Sequence, residues 1–249
     1  MDQKYIDGNS ERIFLNTNFG CSSECAYCYL PDLNIEIGQK PKNKKSVKEI
    51  INELKKNKNF IPGKQGTILS LGCYSECWDE VNQSDTIELL NLLIPFGNPI
   101  QLSTKREVEL NALQSLLSQL SWYGQLSIYI SNSTISHWDE YEFRTTSPKH
   151  RFKSFDLTLT EKVPMYLYIK PVLLGITVKD VDQYISIADQ YNLDIILGEM
   201  FTTNENLKFA PIGQNNLYVD SSIDRYNEEY ESIRAFLSKH RKIYYESIE

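Results

Sequence analysis

Three cysteines crowd into one short run, Gly20-Cys21-Ser22-Ser23-Glu24-Cys25-Ala26-Tyr27-Cys28-Tyr29-Leu30, with the spacing C-x3-C-x2-C. Thiols this close in sequence meet at one point in space, so the chain must fold a tight loop around whatever they hold. Cysteine thiolates are the usual ligands of iron–sulfur cubanes, and a [4Fe–4S] cluster normally takes four. A loop supplying Cys21, Cys25 and Cys28 alone leaves one iron open to a small molecule, much as a catalytic zinc keeps one position free. The spacing also suits a structural zinc site, with Cys73, Cys77 or His137 as the fourth ligand.

The segments around the loop alternate between strand-like and helix-like patterns, the mark of a βα repeat with a mainly parallel sheet. Strands are expected at 12–16, 67–71, 99–103, 126–130, 165–169 and 194–197. Helices are expected at 46–58, 86–94, 108–120, 147–159 and 179–191, the first with Val47, Ile50, Ile51 and Leu54 on one face. Six such units make an α/β fold, an open partial (β/α)6 barrel with mainly parallel strands and a C-terminal helix. Residues 1–220 are expected to form that core, and the charged stretch 221–249 a helical extension packed on it. At 249 residues, 41% of them hydrophobic, the chain suits one sizeable domain.

A net charge of −7 and a pI near 5.2 leave non-specific attraction to nucleic acid unsupported by charge. No window approaches the run of about 18 apolar residues that a membrane helix needs, and residues 1–7 lack the apolar core of a signal peptide. The five cysteines, an odd number, fit a reduced cytoplasmic setting.

In a barrel of this kind chemistry belongs to the loops at the C-terminal ends of the strands. The second strand runs into Leu71-Gly72-Cys73-Tyr74-Ser75-Glu76-Cys77, the third into Ser103-Thr104-Lys105-Arg106, and the fourth into Ser131-Asn132-Ser133. Ser75 offers a hydroxyl acceptor for an ammonium group, and Lys105 a point charge for a carboxylate.

The cysteine spacing, with an aromatic residue before the last thiol, resembles the radical S-adenosylmethionine superfamily. The runs Cys25-Ala26-Tyr27-Cys28-Tyr29-Leu30 and Cys73-Tyr74-Ser75 are similar to its spore photoproduct lyase-like branch. The resemblance covers residues 12 to 201 and implies a [4Fe–4S] cluster whose open iron binds S-adenosylmethionine. Reductive cleavage then yields a 5′-deoxyadenosyl radical that abstracts a hydrogen atom. It further implies Cys73 as a hydrogen-atom donor and Tyr29 as a radical relay. Ser75 would hold the cofactor's amino group, Lys105 its carboxylate, and Ser131 its ribose or carboxylate. Tyr27 would lie against the adenine or shield the cluster, and Arg144 would reach a carboxylate. An electron donor such as flavodoxin or ferredoxin is implied as a partner. The substrate is a peptide, a small metabolite or a DNA photoproduct, and no DNA-gripping basic cluster follows residue 201. Cys77, without a counterpart in the family pattern, stays open as a second redox thiol or as partner of Cys73 in a disulfide or metal half-site. Glu142, Thr145 and Arg151 resemble a Glu-x-x-Thr run followed by an arginine in the same branch, and Glu142 with Arg151 stays open as an ion pair fixing a loop.

Overall fold

The computed structural model describes residues 5–41, 43–202, 218–219, 228–245 and 247. Eight strands form one sheet whose spatial order follows the chain. They are β1 Ile6–Gly8, β2 Arg12–Leu15, β3 Ile68–Leu71, β4 Ile100–Thr104, β5 Leu126–Ser131, β6 Met165–Ile169, β7 Asp194–Leu197 and β8 Ile243–Tyr244. Strand β1 pairs antiparallel with β2, and every later neighbour is parallel. Sequential parallel order requires a crossover after each strand. Helices α1 Val47–Lys56, α2 Gln83–Leu93, α3 Leu110–Leu117, α4 Val181–Tyr191 and α5 Glu228–Ser238 provide most of them.

The architecture is the expected α/β fold, a parallel sheet that does not close. All six expected strands are present, and two more flank them. Arg12 on β2 donates from Nη2 to the hydroxyl of Ser247, just past β8, at 2.9 Å. Six interstrand steps across a flat sheet would span roughly 29 Å, so the sheet curls until its two ends approach.

Alternation along the strands assigns the two faces. Ile13, Leu15, Leu69, Leu71, Ile100 and Leu102 point toward the helices and are buried in the main core. Arg12, Ser70, Gln101 and Tyr129 sit on the other phase and line the concave face. Helix α1 shows how the outer layer is held. Ser46 caps it with Glu49 in a reciprocal capping box, and Val47, Ile50, Ile51 and Leu54 are buried at helical spacing. Each of those side chains contributes about 2 kcal/mol by leaving water.

Two expectations change. The single helix over 147–159 is instead three short pieces: Pro148–Arg151, a 3-10 turn Phe152–Phe155, and Leu157–Thr160. Asp156 breaks the run, with extended ψ of 128° and its carboxylate accepting from Thr158 N at 2.8 Å. The closing helix is followed by β8, which extends the parallel sheet. Much of the stretch 203–227 lies outside the described residues. Among the described residues no helix is long and apolar enough to cross a membrane.

Candidate active site

The loop after β2 is shaped by a few fixed contacts. Gly20 has φ +111°, and a Cβ there would stand 2.9 Å from the Glu36 carbonyl oxygen, so the close approach requires glycine. Glu24 and Cys25 pair antiparallel with Glu142 and Phe143, which ties the cysteine loop to the segment after β5. Cys28 N donates to Cys25 O at 3.0 Å, turning the chain so that both thiols face inward. Phe19, Leu30 and Ile35 form a small apolar cluster against which Cys21 and Cys28 pack.

Cys21, Cys25 and Cys28 line one cavity of about 620 Å³ at the C-terminal ends of the strands. Tyr27, Tyr29, Cys73 and Ser75 line it too, as do Lys105 and Ser131. Of the residues expected as cluster ligands, cofactor contacts or radical carriers, Arg144 alone is absent from this lining. Its backbone is left-handed, with φ 61°. The side chain turns out toward Glu24, 3.2 Å from Oε2, and toward the Gly38 carbonyl at 2.5 Å. Arg144 braces the cysteine loop from outside, with its guanidinium on Glu24 and the Gly38 carbonyl and away from the cavity lining.

Burial pushes the thiols of Cys21 and Cys25 up. Glu76 adds to this at Cys21, while at Cys25 Lys105 opposes it and Glu142 reinforces it. Thiols in such a setting give up their protons to a metal centre that supplies the counter-charge. Three sheltered sulfurs facing one roomy cavity fit a cluster with an open side. Among the described residues no group of three His, Cys, Asp or Glu side chains is placed to hold a single metal ion. Of the other candidate zinc ligands, Cys73 lines the same cavity, while Cys77 and His137 do not. Cys77 is packed in the main core with Sγ 3.5 Å from Ser103 O, and His137 stands beside Glu140. Cys73 and Cys77 are both free thiols, the first at the cavity and the second in the core.

Cys73 is held at the end of β3 by Gly72, whose φ of +89° and 2.8 Å approach to Ser103 O exclude a side chain. The Tyr29 hydroxyl donates to Cys73 O and lies 3.6 Å from Cys73 Sγ. Burial raises the Cys73 thiol, against the pull of Tyr29 and Arg12, so it stays S–H at neutral pH.

Lys105 Nζ donates to Ser131 Oγ at 2.6 Å, sits 3.8 Å from Glu142 Oε1, and lies 5.6 Å from the centre of the Tyr27 ring. Glu142 is the hub of this wall. Its oxygens accept from Tyr27 OH at 2.5 Å, Ser133 N at 3.0 Å and Arg151 Nη1 at 2.8 Å. Both members of the Glu142–Arg151 pair are fully buried, as suited to a loop-fixing pair. Burial pushes the Glu142 carboxyl up, but Arg151 and Lys105 outweigh it and hold it below the usual range.

Glu76 went unnoticed in the sequence. It lines the cavity, accepting from Thr104 Oγ1 at 2.5 Å and from Lys105 N at 2.9 Å. Its position directly after Ser75 was the available signal. Arg12, Gln101 and Tyr129 also line the cavity, and nothing in their local sequence distinguishes them from ordinary strand residues.

No family model matches the sequence, and no curated protein matches it. Solved structures do. A spore photoproduct lyase variant superposes with TM-score 0.67 at 14% identity, covering 99% of this chain and 81% of its own. A second variant, bound to AdoMet and dinucleoside spore photoproduct, gives TM-score 0.65 at 13% identity, covering 94% of this chain and 76% of its own. SuiB of Streptococcus suis, bound to S-adenosylmethionine, gives TM-score 0.61 at 12% identity over 96% of this chain. The match spans 51% of SuiB. The chain has the fold of spore photoproduct lyase and of the SuiB region it matches.

Proposed function

We propose that the chain is a radical S-adenosylmethionine enzyme that abstracts a hydrogen atom from its substrate and uses Cys73 to return one. The observation that carries this is the convergence of three loop thiols, Cys73, Ser75 and Lys105 on one cavity, in a fold shared with AdoMet-bound proteins. When bound, a [4Fe–4S] cluster and S-adenosylmethionine supply the reductive chemistry that makes a 5′-deoxyadenosyl radical.

The chain's own residues do the rest. Cys21, Cys25 and Cys28 are the thiolate ligands. Ser75 and Glu76 are acceptors for the cofactor's ammonium, and Glu76 has lone-pair capacity beyond its existing partners. Lys105 faces the carboxylate, with Ser131 and Glu142 setting where its ammonium stands. Tyr27, hydrogen-bonded to Glu142 and Ser133, shields that wall from water.

Cys73 donation breaks Sγ–H, forms a C–H bond on the substrate and leaves a thiyl. Tyr29, with its O–H 3.6 Å from that sulfur, refills it. One electron from a flavodoxin- or ferredoxin-class donor and one proton from water then restore the tyrosine. Substrates of three kinds fit hydrogen abstraction: a peptide, a small metabolite, or a DNA photoproduct such as the one bound by the lyase. An oxygen-sensitive centre of this type suits the reducing cytoplasm.

The test is anaerobic reconstitution with iron and sulfide, followed by dithionite and S-adenosylmethionine. A brown protein yielding 5′-deoxyadenosine is expected. A colourless protein with stoichiometric zinc would make it a metal-stabilised binding protein instead.

A further inference from the structure

Beneath the loops, the floor of the cavity is built from strand interiors. Arg12 opens β2, Ser70 lies within β3, Gln101 within β4 and Tyr129 within β5. Arg12 donates from Nε to Ser70 Oγ at 2.7 Å and from Nη2 to Gln101 Oε1 at 2.7 Å. Ser70 Oγ donates to the same Gln101 oxygen at 3.0 Å. A guanidinium only donates, so it holds the Gln101 amide with oxygen toward Arg12 and NH2 toward the cavity. Gln101 is 8% exposed and Tyr129 5%, so their polar groups need partners inside the protein.

Gln101 Nε2 donates to the Tyr129 hydroxyl at 3.0 Å, and Ser247 supplies a further partner to each. The Ser247 carbonyl accepts from Gln101 Nε2 and from the Tyr129 hydroxyl, the latter at 3.3 Å. The Ser247 hydroxyl accepts from Arg12 at 2.9 Å. The Tyr168 ring, centred 5.8 Å from that of Tyr129, lines the cavity beside it, and Tyr166 stacks on Tyr129 at 5.2 Å. Two donors fixed by strand register thus reach one backbone carbonyl and a third reaches the hydroxyl of the same residue, inside the cavity that also holds Cys73.

We infer that Arg12, Gln101 and Tyr129 bind a peptide segment of the substrate through a backbone carbonyl and a neighbouring hydroxyl, the place that the chain's own Ser247 fills. The inference rests on the catalytic reading only in calling that ligand the substrate. It selects the peptide from the three substrate classes, because the group these three donors meet is a backbone carbonyl together with a serine hydroxyl.

The test uses the full-length, cluster-reconstituted protein and a fluorescein-labelled probe of sequence Tyr-Glu-Ser-Ile, read by fluorescence polarisation. Ser247→Arg sets a second guanidinium against Arg12 and expels the chain's own segment. That variant is expected to bind the probe on the order of tenfold tighter than wild type, a difference typical of one or two hydrogen bonds. In the same background Tyr129→Phe should weaken binding several-fold, and Gln101→Leu should abolish it. No binding to a Ser247→Arg protein with wild-type circular dichroism and melting temperature overturns the inference. So does binding that Gln101→Leu and Tyr129→Phe leave unchanged. Hydrogen exchange on the wild-type chain gives a check without a variant: saturating probe should speed exchange around Ser247, and unaltered exchange overturns the site. 5′-Deoxyadenosine is assayed on the same preparations. Its absence alongside probe binding removes the catalytic reading and keeps the peptide site; its presence without probe binding does the reverse.

Discussion

A single side chain, Lys105, shows how little of its role is intrinsic. A lysine past a strand end is ordinarily a solvated charge, yet here Ser131, Glu142 and the Tyr27 ring fix its ammonium at the cavity wall. Lys105→Ala is expected to weaken S-adenosylmethionine binding by about tenfold or more, as for loss of one charge-assisted hydrogen bond. Calorimetric titration measures this, and unchanged affinity would remove the assignment. Cys73→Ala should still form 5′-deoxyadenosine while giving altered or trapped products by mass spectrometry. Wild-type products from that variant would end its donor role. Residues with a distinctive local pattern, the cysteines and the Cys73–Ser75 and Lys105 runs, were legible. The placement of Arg144 was not legible, because its left-handed backbone accompanies a side chain turned toward Glu24 and Gly38, and no neighbouring residue announces that φ.

At the scale of elements, the segment from Glu142 to Arg151 is a brace between the cysteine loop and β5. Glu142–Phe143 pairs with Glu24–Cys25, and Arg151 returns to Glu142, Asn132 and the Ser131 carbonyl. Removing one partner of a buried ion pair leaves the other charge uncompensated, at a cost of about 3–5 kcal/mol. Arg151→Leu is therefore expected to lower the urea midpoint sharply, and a midpoint within error of wild type would contradict the brace. The pair also makes stability depend on pH. The folded carboxyl of Glu142 titrates below its ordinary value near 4.5, so its contribution is full above that value. It is lost as pH falls through the lower folded value. Acid unfolding of Glu142→Gln should lack this component, a difference read by comparing urea midpoints between pH 6 and 3. Helices with apolar residues at helical spacing, α1 above all, were readable from the chain. The run 147–159 was not, because Asp156 and the demand of Arg151 for buried partners outweighed its helical pattern.

For the whole molecule, the sheet brings together loops that are far apart in sequence, and ligand binding should stiffen the ensemble. S-adenosylhomocysteine at about 100 times its Kd adds about 2.7 kcal/mol to a protein that binds it only when folded. For a chain of this size that raises the melting temperature by roughly 5–10 °C. Differential scanning calorimetry reads the shift, and none at saturating ligand would argue against the cofactor site. Strand positions, the mainly parallel sheet and the loops at the C-terminal ends were determined by the sequence itself. Alternating hydrophobic segments and thiol spacing act over a few residues and are visible as patterns. Only the tertiary structure decided that Glu142 meets Tyr27 and Arg151, or that Ser247 meets Arg12, Gln101 and Tyr129. Those pairings depend on strand register and on the curl of the sheet, which arise from packing summed over the whole core and leave no mark on any short stretch of chain.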